Sequence, residues 1–245
     1  MSQTLYLRCG PGDLAERVLL TGDPGRVERI AAAMDDARLI AQNREFITMT
    51  GTVRGVGLSV VSSGIGAPSA AIALEEIAQL GAKAVLRIGT TMGISQPMGA
   101  LLLASGAARL EGTSAQYLPL AYPAIPSWTL ARALETAALA TGSPVRVGMV
   151  ATVDAFYPKM APALVGRGIP DMDEFRSAGV ISLDMETSLV LTLGRMLGMD
   201  AASLCLVTNS ADPFGMIDDS ARDKGEQALI QASFEGLLAW EPAHE

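Results

Sequence analysis

Ala84-Val85-Leu86-Arg87-Ile88-Gly89-Thr90-Thr91 is a short, almost wholly apolar run with one arginine inside it and a glycine and two hydroxyls at its end. Lying between Gly81 and Gly89, it reads as a strand covered on both faces, as in a parallel sheet with helices on each side. An arginine in such a strand must meet an anion, because a buried unpaired charge is strongly unfavourable. Two anions qualify. One is a carboxylate of the same chain; the other is a ligand beyond the carboxyl end of the strand, where open α/β sheets bind theirs.

The flanking chain alternates in the same way. Residues 17–21 read as a strand running into Gly22-Asp23-Pro24-Gly25-Arg26, with Asp23 as an N-cap and Pro24 at the first helical position. Val27, Ile30, Ala31 and Met34 then mark a one-faced helix. That turn is either an anion site at a helix N-terminus or a plain strand-to-helix connection. Residues 43–50 and 58–63 read as strands joined through Gly51 to Gly57 as a hairpin. A helix opening at Gly64–Ser69 is apolar nearly all round and is expected to be buried.

Further strands are expected at 101–104, 145–154, 180–186 and 202–208, with helices at 128–140, after Glu186 and at 224–240. Asp154 to Pro158 reads as a strand end entering a loop. Strands alternating with helices argue for a single α/β domain over residues 1–245, with 241–245 a loose tail.

Composition removes whole classes of chemistry. The 245 residues carry a net charge of −8, which argues against a general nucleic-acid or anionic-membrane binder. No run reaches the length of a membrane span, and the first residues lack a signal-peptide apolar region. The only two cysteines, Cys9 and Cys205, lie far apart with no metal spacing, as expected of a reduced cytoplasmic protein. The sole histidine is His244, so a histidine-dependent nucleophile or a histidine-held zinc is excluded.

The remaining polar groups share one placement. Gly22 with Arg26, Arg87 with Thr90, Phe156, Glu186 and Asn209 are all expected just beyond the carboxyl ends of separate strands. Arg26, Arg44, Arg87 and Thr90 suit a phosphate dianion, since arginine forks onto oxyanions. Glu186 suits sugar hydroxyls, or simply complements a helix dipole. Phe156 offers a ring face to a base, or fills core.

The segments GDPGRV (22–27), NREF (43–46), SSGIGAPSAAIALEEIAQLGAKAVLRIGTT (62–91), DAFYP (154–158) and LDMETS (183–188) resemble the uridine phosphorylase branch of the nucleoside phosphorylase family, in order and over residues 20–215. The resemblance implies a single-domain α/β fold around a mixed, barrel-like sheet surrounded by helices. It implies phosphate-dependent cleavage of a ribonucleoside, uridine or a related pyrimidine nucleoside, to free base and ribose 1-phosphate. It also implies a dimer-based homo-oligomer, a hexamer with sites shared between subunits, and no cofactor beyond phosphate as co-substrate.

Carried over by position, Gly22, Arg26, Arg87 and Thr90 resemble phosphate ligands, and Arg44 resembles an arginine lent across a dimer interface. Met185 and Glu186 are similar to the pair beneath the ribose, with Tyr6 reaching a neighbour's ribose. Thr91, Met92, Phe156, Met160 and Asn209 fall on the base side; Arg87, Glu186 and Asn209 carry the catalytic roles. Glu45, Ile65 and Ser69 match positions that bind a monovalent cation such as K⁺ in some relatives, or are purely structural.

The base side departs from the pattern. Met160 and Pro162 stand where a Gln and an Arg read uracil, and Ser210 stands where a further Arg is usual. Asn209 replaces the Asp with which purine-cleaving relatives protonate the base, and Asp184 replaces a Glu. Four readings stay open: a pyrimidine nucleoside phosphorylase, a 6-oxopurine nucleoside phosphorylase, a nucleoside hydrolase on the same fold, and a non-catalytic nucleoside-binding homologue.

Overall fold

A computed structural model describes residues 3–168 and 171–242, so His244 and most of the expected tail lie outside the described residues. The strands are β1 (Arg17–Thr21), β2 (Asp35–Asn43), β3 (Phe46–Val53), β4 (Val56–Ser62), β5 (Ala84–Gly93), β6 (Leu101–Leu110), β7 (Val145–Val153), β8 (Val180–Asp184), β9 (Asp200–Ala211) and β10 (Phe214–Met216). The helices are α1 (Pro24–Ala31), α2 (Ala67–Gln79), α3 (Ser114–Tyr117), α4 (Trp128–Ala140), α5 (Phe156–Lys159), α6 (Asp173–Ser177), α7 (Thr187–Met196) and α8 (Asp219–Ala239).

All ten strands form one mixed sheet in the order β10-β9-β6-β7-β8-β5-β1-β4-β3-β2, and β9 also pairs with β5. That extra pairing closes β5, β8, β7, β6 and β9 into a barrel, from which β1, β4, β3 and β2 extend as an open wing. The barrel is mixed as expected: β5 runs parallel to β1 and β9 and antiparallel to β8.

The stretch around Arg87 is the strand shared by barrel and wing. It is buried on both faces, as its composition requires. On one side α2 and α7 bring Leu74, Ile77, Leu189 and Leu193 against Val18, Leu20, Val85 and Leu102. On the other, α1, α4 and α8 bring Ile30, Leu134 and Leu237 against Leu19, Leu86, Leu101 and Leu204. Three elements of one sheet thus supply the floor of any site at β1, β5 and β8.

Several boundaries differ from the expectation, each for a physical reason. Residues 43–50 are not one strand: Arg44 and Glu45 form a two-residue turn between β2 and β3, Asn43 facing Phe46, with Arg44 at φ +56°. β2 has no counterpart among the expected strands, being a mostly polar outer strand without alternation. β5 continues to Gly93 because barrel closure pairs its last residues with β8 and β9, and β9 continues to Ala211 because it also forms a hairpin with β10. Arg87, Thr90, Asn209 and Ser210 therefore lie within strands rather than beyond them. The segment after Asp154 is the short helix α5 rather than a loop.

Candidate active site

The site is built around Arg87, whose guanidinium is buried and charged. Its Nη2 lies 2.5 Å from Glu186 Oε2 and 3.0 Å from Asp184 Oδ2. Burial alone would favour deprotonation, but these neighbouring anions outweigh it and hold the arginine protonated. Burial pushes the Glu186 carboxyl above its usual range, Arg87 draws it back, and Asp184 adds to the rise. The Cys205 thiol near Arg87 is pushed up by burial and stays neutral. Of the two anions first open to Arg87, the same-chain carboxylate is present.

Gly89 makes this arrangement possible. A Cβ there would stand 2.4 Å from Arg87 Nη1, so the guanidinium folds back along its own strand only over a residue without one. Asp184 is held from all sides: Thr152 Oγ1 donates to it at 2.8 Å, Thr187 N at 3.1 Å, and the Thr187 hydroxyl adds a further bond.

Asp184 is thus the carboxylate that caps α7. Glu186, at the N-cap position, makes no capping bond to its own helix. Its Oε1 instead accepts from Gly66 N at 2.6 Å, at the start of α2. The dipole-complementing reading of Glu186 on α7 therefore fails; its oxygens are turned towards Arg87 and the Gly64–Gly66 loop.

The Gly22–Arg26 turn forms a second wall. Asp23 caps α1 by accepting from Gly25 N at 2.9 Å, as the sequence predicts. Arg26 is buried, donating from Nε to Glu226 Oε1 at 2.6 Å and from Nη1 to Thr21 Oγ1 at 2.9 Å. Arg29 Nη2 reaches both Asp23 Oδ2 at 2.9 Å and Glu226 Oε1 at 3.1 Å. Burial would raise the Glu226 carboxyl, but Arg29 and Arg26 prevail and hold it below its usual range.

Between these walls lies a cavity of about 610 Å³, large enough for a small organic ligand and an anion together. Gly22, Arg26, Arg87, Thr90, Phe156, Met160, Met185 and Glu186 all line it. The fold thus brings together eight residues drawn from β1, α1, β5, the β7–α5 segment and the end of β8. Arg222 on α8 also lines it and went unread, because the helix was expected to start two residues later. Nothing in its local sequence marks it, because the wall it joins is built from residues distant in the chain.

Other expected site residues lie elsewhere. Thr91 Oγ1 donates to the Leu183 carbonyl at 2.8 Å, and Met92 is fully buried in a cluster with Ile94, Met160 and Met172. Asn209 sits within β9, paired with Met216 of β10, and is not on the cavity wall. Arg44 and Tyr6 are also away from the cavity but lie together, Arg44 Cζ being 5.7 Å from the Tyr6 ring centre, with Arg44 exposed. Glu45 and Ser69 meet at 3.2 Å, beside the exposed Ile65. Among the described residues no group of three or more His, Cys, Asp or Glu could hold a metal ion, and no helix is long and apolar enough to cross a membrane.

Comparison with known proteins places this geometry in a family. The sequence profile of the Phosphorylase superfamily matches residues 16–234. A uridine phosphorylase of Thermococcus kodakarensis is 38% identical over 98% of this chain and 88% of its own length. A guanosine phosphorylase of Halorubrum lacusprofundi is 34% identical over 94% of this chain and 96% of its own. The crystal structure of purine nucleoside phosphorylase from Toxoplasma gondii in complex with immucillin-H superposes with a TM-score of 0.87 at 27% identity, covering 97% of this chain and 96% of that one. With an arginine-lined cavity at the junction of a closed barrel and its wing, and a match spanning nearly its whole length, the chain belongs to the phosphorylase superfamily.

Proposed function

We propose that the protein cleaves a ribonucleoside with inorganic phosphate, giving the free base and ribose 1-phosphate, and that uridine or a related pyrimidine nucleoside is its substrate. One observation carries the reading. A single cavity is lined by arginines suited to an oxyanion, a buried carboxylate suited to hydroxyls, and apolar side chains, Phe156 and Met160, suited to a flat base.

In this reading Gly22, Arg26, Arg87 and Thr90 hold the phosphate, Met185 underlies the ribose, Glu186 accepts from its hydroxyls, and Phe156 and Met160 flank the base. Phosphate oxygen attacks the anomeric carbon as the glycosidic C–N bond breaks, and that bond's electron pair leaves with the base. Fixing the nucleophile beside the carbon removes most of the entropic barrier, and its charge together with Glu186 complements the cationic sugar. Arg87 serves both halves, since it already touches Glu186. The reaction belongs to nucleoside catabolism and salvage, and two buried free cysteines suit a reducing cytoplasm.

A 6-oxopurine nucleoside is the second reading. It is favoured by the Halorubrum guanosine phosphorylase and by Met160 and Pro162, which cannot read uracil as a Gln and an Arg do. The deciding experiment follows base release from uridine, thymidine, inosine and guanosine with and without phosphate. Phosphate-dependent release from one of them establishes the reaction and the base. Release that ignores phosphate means hydrolysis, and ligand-induced stabilisation without turnover means a binding protein.

We further propose a dimer-based oligomer, a hexamer assembled from dimers, in which Arg44 and Tyr6 complete a neighbour's site. The support is that both lie off their own cavity and on one surface. Mixed Arg44→Ala and Arg87→Ala subunits would then regain part of the activity each lacks alone. The Glu45–Ser69 contact offers oxygen donors suited to a monovalent cation at that same surface, testable as K⁺-dependent activity.

A further inference from the structure

We propose that Glu226, on the last helix, is a positioning residue for anion binding: it fixes the Arg26 guanidinium so that its free edge faces the cavity. The inference rests on the phosphate reading of that cavity.

Five N–H groups leave an arginine side chain in a fixed plane. Here two directions are anchored. Nε donates to Glu226 Oε1 at 2.6 Å, and Nη1 donates to Thr21 Oγ1 at 2.9 Å. Nη2 makes no hydrogen bond among the described residues, and Arg26 lines the cavity. With Nε and one Nη1 proton tied, rotation about the side chain is removed and the plane's remaining donors keep one orientation. An arginine held this way loses less entropy when it binds an oxyanion.

Glu226 reaches this place by close packing. A Cβ on Gly225 would lie 2.5 Å from Leu206 Cδ1, so the helix approaches β9 closely at that residue. Glu226 then faces α1, and it is buried. It also accepts from Arg29, whose second partner Asp23 caps α1. The chain Asp23–Arg29–Glu226–Arg26–Thr21 thus fixes the phosphate turn to the far end of the sequence. Loss of the carboxylate leaves Arg26 buried with one anchor, free to turn its fork away.

The test separates phosphate from nucleoside in steady-state kinetics and reads phosphate binding alone by the rise in melting temperature. Glu226→Ala is expected to raise KM for phosphate about tenfold or more while KM for the nucleoside stays within about twofold. Glu226→Gln keeps an acceptor for Nε and is expected to raise it less than about threefold. Thr21→Val, which removes the second anchor without changing volume, is expected to act in the same direction and keeps the test decisive should Glu226→Ala not fold.

Equal changes in both KM values, or a lowered melting temperature with phosphate KM unmoved in Glu226→Ala and Thr21→Val, would reduce Glu226 to a structural tie and overturn the inference. If phosphate fails to stabilise the wild-type protein at all, the phosphate assignment falls first and this inference with it.

Discussion

Gly89 and Arg87 share one strand, and a methyl group on the former would stand 2.4 Å from Nη1 of the latter. The neighbour at risk is the end of a long side chain, not backbone, so the strand has no reason to break. The guanidinium must turn instead, away from Asp184 and Glu186. Gly89→Ala is therefore expected to fold, with a melting temperature a few degrees lower, and to lose turnover by about a hundredfold, the effect of misplacing a group by about an ångström. Near-normal turnover in a folded Gly89→Ala protein would show that the position of Arg87 is not critical.

The Arg87 triad gives a second prediction, in which stability and activity come apart. Removing the arginine strands two buried carboxylates, a loss of about 3 kcal/mol or more for a broken buried pair. Arg87→Ala should thus be less stable as well as inactive. Adding Glu186→Gln neutralises one stranded charge, so Arg87→Ala/Glu186→Gln should regain part of the stability and none of the activity. Denaturant unfolding of both variants and of Glu186→Gln alone checks this; additive losses would mean the two side chains do not interact.

How far this site can be read from the sequence depends on whether a residue's partner is local. The strand at 84–91, the Asp23 cap and the helix at 128–140 are written in apolar runs and turn residues a few positions apart. β2 is not: Asp35–Asn43 is an outer strand with little to bury, and no glycine or Asn-Gly marks its turn at Arg44 and Glu45. Likewise the length of β5 follows from closing a barrel, which no local window contains. Arg26, Arg87, Thr90, Phe156 and Glu186 could be foreseen on one cavity because each lies in or just after the carboxyl-terminal part of a strand, whereas only the family resemblance places Met160 and Met185 there. The pairing of Arg26 with Glu226, 200 residues apart, could not. Thr91 and Met92 show the opposite error: Thr91 faces away from Thr90 by the ordinary alternation of a strand, and Met92, paired with Leu183 of β8, is packed into the core beside Ile94 and Met172.

Arg222 is the lining cation that makes no ion pair among the described residues, whereas Arg26 and Arg87 are already matched by carboxylates. It is exposed, so its removal should leave stability within about 0.5 kcal/mol of wild type. If it draws phosphate to the cavity, Arg222→Ala should raise KM for phosphate about threefold to tenfold, and the gap from wild type should narrow as salt is added. A salt-independent effect would instead indicate a direct, desolvated contact, and no effect would remove Arg222 from the site.

The last prediction concerns acid. Glu226 and Asp23 both have carboxyls held below their usual range; in each, burial opposes the shift and guanidinium partners win, Arg29 leading in both. A carboxyl with a depressed folded-state pKa adds stability that is fully present above its unfolded value, about 4.3 for Glu and 3.9 for Asp. That stability is lost as pH falls through the lower folded value. Glu226→Gln removes the group from this linkage, so wild type should exceed it in stability at pH 6 and converge on it below about pH 4. Denaturant midpoints of the two proteins between those values measure the convergence. A gap that stays constant down to low pH would mean that the Glu226 carboxylate contributes by its shape and hydrogen bonds alone, with no share from its charge.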